Sequence, residues 1–264
     1  MKIFQLKELI NSKFFQDFAK FSSSSAFGQI LAIVLSPFVS RIYTATQFSH
    51  FAIYSSLVMV VHPIVTGKYE FALVNEKDND ESKNLFILCI QLIIIFSILL
   101  ISILILLPVG LKEFLRLDSL GIFQYLIPIG ILGQALFTTL RYWLYRYQNF
   151  SKLSKSILLN ATIKSLFLIL FGIGFRNFNG LIISNLIAIL ITCIFLINSS
   201  NLRIPLKKLF DYKKTIFNAK KYWKYPSFNA LPSLLDNLTF EMPVFLITFF
   251  YTQDNLADYA IISK

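Results

Sequence analysis

Two charged residues lie in the middle of apolar stretches, where they could do chemistry. Lys164 interrupts the stretch Ser156–Phe175, and Asp236 interrupts the stretch Tyr225–Tyr251. In a helix that crosses lipid, each would lie near the bilayer midplane, where a charge costs about 2.5 to 3.5 kcal/mol and should face a cavity or a partner. We expect Lys164 to contact a phosphate group, or else to snorkel or pair structurally. Asp236 is expected to pair with Lys164 or to carry a coupling proton or cation.

Other charged residues lie closer to the ends of the apolar stretches. Snorkelling to the interface explains them about as well as a function does, and the bias of basic residues toward one membrane side explains the arginines. His50 and His62 also lie near helix ends, and a proton relay through them is the weaker interpretation. The remaining candidates are Arg41, Lys68 and Arg141 for ligand contact, and Glu70 and Glu241 for coupling or ion pairing.

The composition indicates a membrane protein. The 264 residues are 56% hydrophobic and the mean hydropathy is +0.65, whereas average usage is about 45 to 50% apolar. Several runs exceed the roughly 18 apolar residues that identify a spanning helix. We predict an all-α polytopic membrane protein in which an eighth span has barely begun at the C-terminus. The first seven spans are placed at Ser22–Ile42, Phe48–Thr66, Leu85–Leu107, Gly121–Tyr145, Ser156–Phe175, Phe178–Ile197 and Tyr225–Tyr251.

The formal charge of +11 comes from basic residues that cluster in alternate connections. By the positive-inside rule the lysine-rich connections face the cytoplasm, which places the N-terminus there too. Because this topology explains the charge, we expect no nucleic-acid partner. The acidic connection from Asn75 to Asn84 is interpreted as a solvated loop.

Two segments outside the spans have the pattern of amphipathic helices. Residues 1–21 contain apolar side chains at helical spacing, and residues 199–224 combine lysines with one apolar face. Such helices lie along a membrane surface, where each basic residue gains about 1 kcal/mol from anionic lipid, so anionic lipids are expected partners. We divide the chain into an amphipathic N-terminal segment (1–21), a six-span bundle (22–198), a basic cytoplasmic loop (199–224) and the start of a second bundle (225–264).

The sequence lacks the patterns that identify an enzyme or a metalloprotein. It contains no phosphate-binding Gly-rich loop, no His and Cys cluster with metal-ligand spacing and no nucleophile triad. Cys89 and Cys193 stand alone within apolar runs, as small buried hydrophobic residues do. We therefore predict no catalytic activity, no cofactor and no bound metal.

A short pattern near the N-terminus returns near the C-terminus. The pairs at an offset of 206 residues are Pro37/Pro243, Thr46/Thr252 and Gln47/Gln253, and those at an offset of 208 are Ala52/Ala260, Ile53/Ile261 and Ser55/Ser263. Since an even number of spans separates the copies, both enter the membrane from the same side, which is typical of transporters built from two parallel bundles. Chance similarity is the alternative in so apolar a sequence. If the repeat is real, we expect one complete bundle and only the opening of a second.

Six short motifs follow one another along the chain. They are Arg41-Ile-Tyr-Thr-Ala-Thr-Gln-Phe, Lys68-Tyr-Glu-Phe-Ala-Leu, Leu144-Tyr-Arg-Tyr-Gln-Asn-Phe, Gly180-Leu-Ile-Ile, Tyr225-Pro-Ser-Phe-Asn-Ala-Leu-Pro-Ser and Met242-Pro-Val-Phe-Leu. In the order and spacing of these motifs the chain resembles the Wzx-like polysaccharide flippases over nearly its whole length. It departs from the family pattern at Ala45, Ser49, Ser184 and Lys68, where Pro, Gly, Gly and Arg are usual.

The resemblance implies a MATE-like fold, with a C-terminal bundle that is missing here, so that the chain looks truncated. It implies a flippase that moves undecaprenyl-pyrophosphate-linked oligosaccharide across the bacterial inner membrane for O-antigen or capsule synthesis. The implied partners are that lipid-linked oligosaccharide and other membrane proteins of polysaccharide assembly. One alternative is a cation-coupled MATE-type exporter of small amphipathic molecules, which would require carboxylates to dominate the cavity. A membrane glycosyltransferase or polysaccharide polymerase is the alternative from another class.

Overall fold

The computed structural model describes residues 13–174, 179–200, 202 and 212–262, and this part of the chain is almost entirely helical, without a β-strand. A 3₁₀ segment, Asp118–Leu126, precedes the sixth α-helix, and a π-helical turn, Pro226–Ala230, precedes the tenth. The α-helices are α1 (Lys13–Ile42), α2 (Ala45–Val65), α3 (Tyr69–Asn75), α4 (Asn79–Leu106), α5 (Val109–Phe114), α6 (Ile127–Arg146), α7 (Phe150–Gly174), α8 (Gly180–Ser199), α9 (Tyr212–Lys221), α10 (Leu231–Phe250) and α11 (Gln253–Ile262).

Seven helical stretches among these residues are long and apolar enough to cross a membrane. They coincide with the seven predicted spans, so the prediction of an all-α polytopic membrane protein is confirmed. The chain alternates between two ends of the bundle. We call the end with residues 76–78, 147–149 and 222–225 the basic end, and the end with residues 43–44, 107–117 and 251–252 the opposite end.

Two helices begin about six residues earlier than predicted, at the basic end. Helix α4 starts at Asn79 because the Asp78 side chain accepts a hydrogen bond from the Asp80 amide (2.8 Å), and acidic residues in the first turn favour a helix N-terminus. Helix α7 starts at Phe150 because the Asn149 side chain accepts a bond from the Lys152 amide (3.3 Å). Capping, rather than hydropathy, fixes both starts.

The predicted N-terminal amphipathic segment is only partly observable, because residues 1–12 lie outside the described residues. From Lys13 onward the chain belongs to α1, so the expected boundary after Phe21 is not a break in the helix. The serines at this point do not end the helix because their hydroxyls bond back to carbonyls one turn earlier. For example, Ser24 donates to the Lys20 carbonyl at 2.7 Å.

Helix α2 is the centre of the bundle. It packs against α6, α8, α10 and α11, while α1 packs along α7 and α7 along α8. Its buried residues include Ser49, Ala52, Tyr54 and Ser56. The approach of α6 requires a glycine, because a Cβ at Gly130 would lie 2.1 Å from the Tyr54 hydroxyl oxygen.

The segments of the predicted sequence repeat lie in two helix pairs, α1–α2 and α10–α11, which share local features. Each pair has a proline inside its first helix, Pro37 or Pro243, and a threonine before its second. The Gln47 amide donates to the Thr44 hydroxyl at 3.3 Å, and the Asn255 amide donates to the Thr252 hydroxyl at 3.5 Å. The caps therefore equate Thr44 with Thr252, at an offset of 208 residues. The predicted pairing of Thr46 with Thr252, and of Gln47 with Gln253, is displaced by two residues.

Helix α9 contacts the acidic connection, nearly all of whose residues are exposed or partly exposed, as expected for a solvated connection. Near the start of α9, Thr215 donates to the Gln91 side chain at 2.6 Å. At its end, Lys221 forms an ion pair with Glu81 in the first turn of α4. Because the earlier residue of α9 bonds to the later residue of α4, the two helices run antiparallel. Helix α9 (Tyr212–Lys221), in the basic loop, thus packs lengthwise along α4, and we call it the strap.

Candidate functional site

A cavity of about 770 Å³ lies inside the bundle, between the α1–α7 pair and helices α2, α6 and α11. Along α1 its lining extends from Ser25 to Val39, which is about 21 Å of helix and more than half the thickness of a bilayer core. Ala260 and Ile261 of α11 also line it, so both helix pairs of the repeat contribute to its wall.

Lys164 lines this cavity near the centre of α7, so the expectation that it faces a cavity agrees with its position. Its Nζ atom lies 5.6 Å from the centroid of the Phe51 ring of α2, over the aromatic face. In the part of the chain that the structure describes, it forms no ion pair with an acidic residue. A cation–π contact leaves the three N–H donors of the ammonium available to an anion.

Arg141 of α6 lines the same cavity. Its guanidinium lies over the Phe137 ring, with 5.4 Å to the ring centroid, and donates to the Tyr145 hydroxyl at 3.0 Å. Its Nε atom is buried and has no hydrogen-bond partner in the described structure. An unpaired buried donor is costly, and the remaining N–H groups of an arginine match the oxygens of a phosphate.

The two cations occupy different depths. Arg141 is about 8 Å of helix from the end of α6, and Lys164 is about 21 Å from the start of α7, both measured from the basic end. Their Cα positions thus differ by about 13 Å in depth along the helix axes. The arrangement provides a first cationic position near the basic end and a second near the midplane.

The rest of the lining is neutral, and none of the described lining residues is acidic. Asn160, one turn before Lys164, donates to the Thr192 hydroxyl at 3.3 Å, which leaves its carbonyl oxygen free to accept. Sequence reasoning missed this residue and also Gln29, Ser36 and Ser165. A detectable signal existed, since Ser25, Gln29 and Ser36 recur at helical spacing on one face of α1. Such amide and hydroxyl groups bind the hydroxyls of a sugar by neutral hydrogen bonds.

Asp236 lies on the exposed surface of α10, outside the cavity lining. The predicted ion pair between Lys164 and Asp236 is not formed. The two helices have different neighbours, because α10 packs against α2 whereas α7 packs against α1 and α8. In addition, Asp236 lies on the exposed face of α10, turned away from the bundle. Equal depth in the membrane did not bring the two charges together.

Glu241 differs from its predicted position near an interface. It lies about halfway along α10, and its carboxylate accepts a hydrogen bond of 2.6 Å from the buried hydroxyl of Ser56 in α2. Glu241 therefore joins α10 to the central helix instead of snorkelling.

The remaining candidates also lie outside the cavity lining. Arg41 is exposed in the last turn of α1. Lys68 has a left-handed backbone (φ 60°) and places its Nζ atom 5.4 Å from the centroid of the Phe71 ring. Glu70 was predicted to lie at the end of α2. It lies instead in the first turn of α3, where it is buried and accepts a hydrogen bond from Thr66. Lys164 and Arg141 are the two predicted site residues that line the cavity.

Comparisons with known proteins give one match, to a family model. No curated protein and no solved structure matches the chain. One family model, described as polysaccharide biosynthesis protein, matches residues 38–264. The match covers most of the chain, including the cavity-lining helices α2, α6, α7, α8 and α11 but only the end of α1, and supports the resemblance seen in the sequence motifs. The chain belongs to the polysaccharide biosynthesis protein family.

Proposed function

We propose that this chain moves an undecaprenyl-pyrophosphate-linked oligosaccharide across the bacterial inner membrane, as part of surface polysaccharide synthesis. The observation that carries the proposal is a cavity whose described lining contains two cations, Arg141 and Lys164, without an acidic partner. A diphosphate cannot cross hydrocarbon unaided, because the desolvation of its charges is too costly. Arg141 and Lys164 compensate that cost in a cavity whose lining is otherwise apolar apart from a few amide and hydroxyl groups.

The depths of the two cations suggest the order of events. We take the basic end as the cytoplasmic one, following the positive-inside rule. The diphosphate binds first at Arg141, whose planar guanidinium donates hydrogen bonds to two phosphate oxygens, and then at Lys164 near the midplane. The sugar meets the amide and hydroxyl groups of Gln29, Ser36 and Asn160, while the lipid tail stays in the bilayer.

The shared wall of the cavity supports alternating access. Helix α11 contributes Ala260 and Ile261 to the lining, and it belongs to the second copy of the repeat. A tilt of α10–α11 relative to α1–α7 changes the width of the cavity at one end relative to the other. Transporters with two related bundles open to alternate sides by such rigid movements.

The neutral and basic lining favours this proposal over the two alternatives. A cation-coupled exporter of amphipathic molecules needs carboxylates in its cavity, and the described lining has none. A glycosyltransferase or polymerase needs an extramembrane region for its acceptor, and the described connections at the opposite end, such as residues 43–44 and 251–252, are short.

Transport in vesicles tests the proposal. The chain is reconstituted with a fluorescent lipid-linked oligosaccharide, and the flipping rate is followed with a membrane-impermeant quencher. Arg141→Gln and Lys164→Gln should each slow flipping about tenfold, the cost of one charge-assisted hydrogen bond. Lys112→Gln, in the short helix α5 at the opposite end, is the matched control and should keep the original rate. Equal rates for all three variants would contradict the proposal.

A further inference from the structure

Arg141, the cation nearer the basic end of the cavity, is flanked by two aromatic rings of its own helix. Phe137 and Tyr145 lie four residues before and after it, so all three side chains share one face of α6. The guanidinium carbon is 5.4 Å from the centroid of the Phe137 ring and 5.8 Å from that of the Tyr145 ring. Both distances are within the range of a cation–π contact, so each ring attracts the guanidinium.

The Tyr145 hydroxyl fixes the rotation of this guanidinium. The Arg141 Nη2 atom donates to the hydroxyl oxygen at 3.0 Å, while its Nε atom is buried without a partner among the described residues. A guanidinium is a planar fork, so one hydrogen bond together with two ring contacts determines where its remaining N–H groups point. Those groups remain available to an anion in the cavity that Arg141 lines.

Tyr145 is itself held by aromatic contacts from neighbouring helices. Its ring packs edge-on against Phe21 of α1, with 6.3 Å between the centroids, and lies 6.4 Å from the Phe150 ring of α7. It belongs to the sequence motif at residues 144–150, none of which lines the cavity. The position of the Tyr145 hydroxyl therefore depends on the packing of α1, α6 and α7 around it.

We propose that Tyr145 is a positioning residue for the first anion position of the cavity. It holds Arg141 in the orientation in which the guanidinium binds the diphosphate, and it does not contact the ligand itself. This role rests on the proposed function, because it belongs to the binding step at that site. Without the hydroxyl, the guanidinium moves among several rotamers, and ordering this flexible side chain on binding lowers the affinity for the anion.

Binding of inorganic pyrophosphate tests this role. The full chain is placed in phosphatidylcholine nanodiscs, and the dissociation constant is measured by isothermal titration calorimetry. Tyr145→Phe keeps the ring and removes the hydroxyl, so the affinity should fall about fivefold, as for the loss of one hydrogen bond. Tyr147→Phe is the matched control, because it removes a hydroxyl from an exposed side chain directly after α6 and should leave the affinity unchanged.

A second background separates positioning from a general structural role. In Arg141→Gln, where Lys164 remains to bind pyrophosphate, Tyr145→Phe should have no further effect, since the group that it positions is gone. A residue that only supports the fold would lower the affinity by the same factor in both backgrounds, and that result would overturn the positioning role.

Failure of the positioning role differs from failure of the proposed function. If the unmodified chain binds pyrophosphate and Tyr145→Phe binds it equally well, the positioning role alone is wrong. If the unmodified chain does not bind pyrophosphate, the anion site of the proposed function is wrong, and the role of Tyr145 is wrong with it.

Discussion

The hydrogen bond between Ser56 and Glu241 is a polar contact that joins the two helix pairs. It connects the middle of α2 to the middle of α10 at 2.6 Å, and Ser56 is fully buried. Ser56→Ala removes the donor and leaves the carboxylate without this partner inside the bundle. We expect a loss of about 1 to 3 kcal/mol in the free energy of unfolding, measured as a lower thermal midpoint in detergent.

A second serine provides the control for this prediction. Ser102 of α4 is exposed, and its hydroxyl bonds only to the Ile98 carbonyl of its own helix at 3.0 Å. Ser102→Ala should change stability by less than about 0.5 kcal/mol. If both variants unfold at the same temperature, the Ser56–Glu241 bond does not hold α10 to α2.

Lys164 and Asp236 show what sequence can and cannot predict about a site. Helix length and rise were enough to place both near the midplane, and the cost of burying a charge correctly indicated that Lys164 faces a cavity. The sequence could not tell which way Asp236 points. Helix α10 is apolar on most of its surface, so its hydrophobic pattern does not distinguish the face toward α2 from the exposed face. The packing decides the rotation of the helix.

At the scale of elements, the spans were predictable and the strap was not. A spanning helix can be recognised in the sequence from about 20 consecutive apolar residues, whatever it packs against. The docking of α9 depends on pairs that are distant in sequence, such as Lys221 with Glu81 and Thr215 with Gln91. Alone, the acidic connection has the composition of a solvated loop, and residues 199–224 have the pattern of a helix on a membrane surface. The same limit applies to the starts of α4 and α7, which depend on single capping side chains.

The contact between Tyr222 and Glu76 makes the docking of α9 dependent on pH. The hydrogen bond from the Tyr222 hydroxyl lowers the pKa of Glu76, and burial together with the neighbouring carboxylates raises the pKa of Tyr222. A carboxyl group with a lowered pKa stabilises the folded contact above its ordinary pKa of about 4.3. That contribution is lost as the pH falls through the lowered value. A phenol with a raised pKa contributes below its ordinary pKa of about 10, so it does not oppose docking at neutral pH.

We therefore expect α9 to undock in acid, with a midpoint below about pH 4.3. In Trp143→Phe the emission of Trp223 reports the change. Tyr222→Phe removes the main cause of the lowered pKa of Glu76, so the midpoint should rise toward the ordinary value of a glutamate. Tyr125→Phe, an exposed tyrosine near the opposite end, should leave the midpoint in place. A midpoint that both variants leave unmoved would show that another group controls the docking.

At the scale of the whole molecule, the cavity and the repeat belong together. The first helix pair supplies α1 and α2 to its walls, and the second supplies α11. The repeat was visible in the sequence because prolines and caps recur there, but the cavity was not, since its lining comes from six helices. A volume between helices depends on all of their crossing angles at once, and no single stretch of sequence encodes it.

A cavity that binds charged groups must contain water, and α1 offers a test of this within one helix. Ser36 lines the cavity, whereas Val34, two residues earlier, is exposed on the outer surface of the bundle. A cysteine reacts as the thiolate, which forms in water near a cation and not in hydrocarbon. In bilayers, Ser36→Cys should therefore react with a water-soluble maleimide about tenfold faster or more than Val34→Cys. The native thiols, Cys89 and Cys193, are buried and give little background.

Protection by an anion connects this test to the two cations. Inorganic pyrophosphate bound at Lys164 or Arg141 occupies the water-filled space that the maleimide needs, so it should slow the labelling of Ser36→Cys. The same addition should not protect Ser36→Cys when Lys164→Gln and Arg141→Gln are both present, because the charges that hold the anion are then gone. Labelling of Val34→Cys at the rate of Ser36→Cys would mean that the lipid face, and not the cavity, is the wet side of α1. A protected thiol in the doubly neutralised chain would place the anion on other groups.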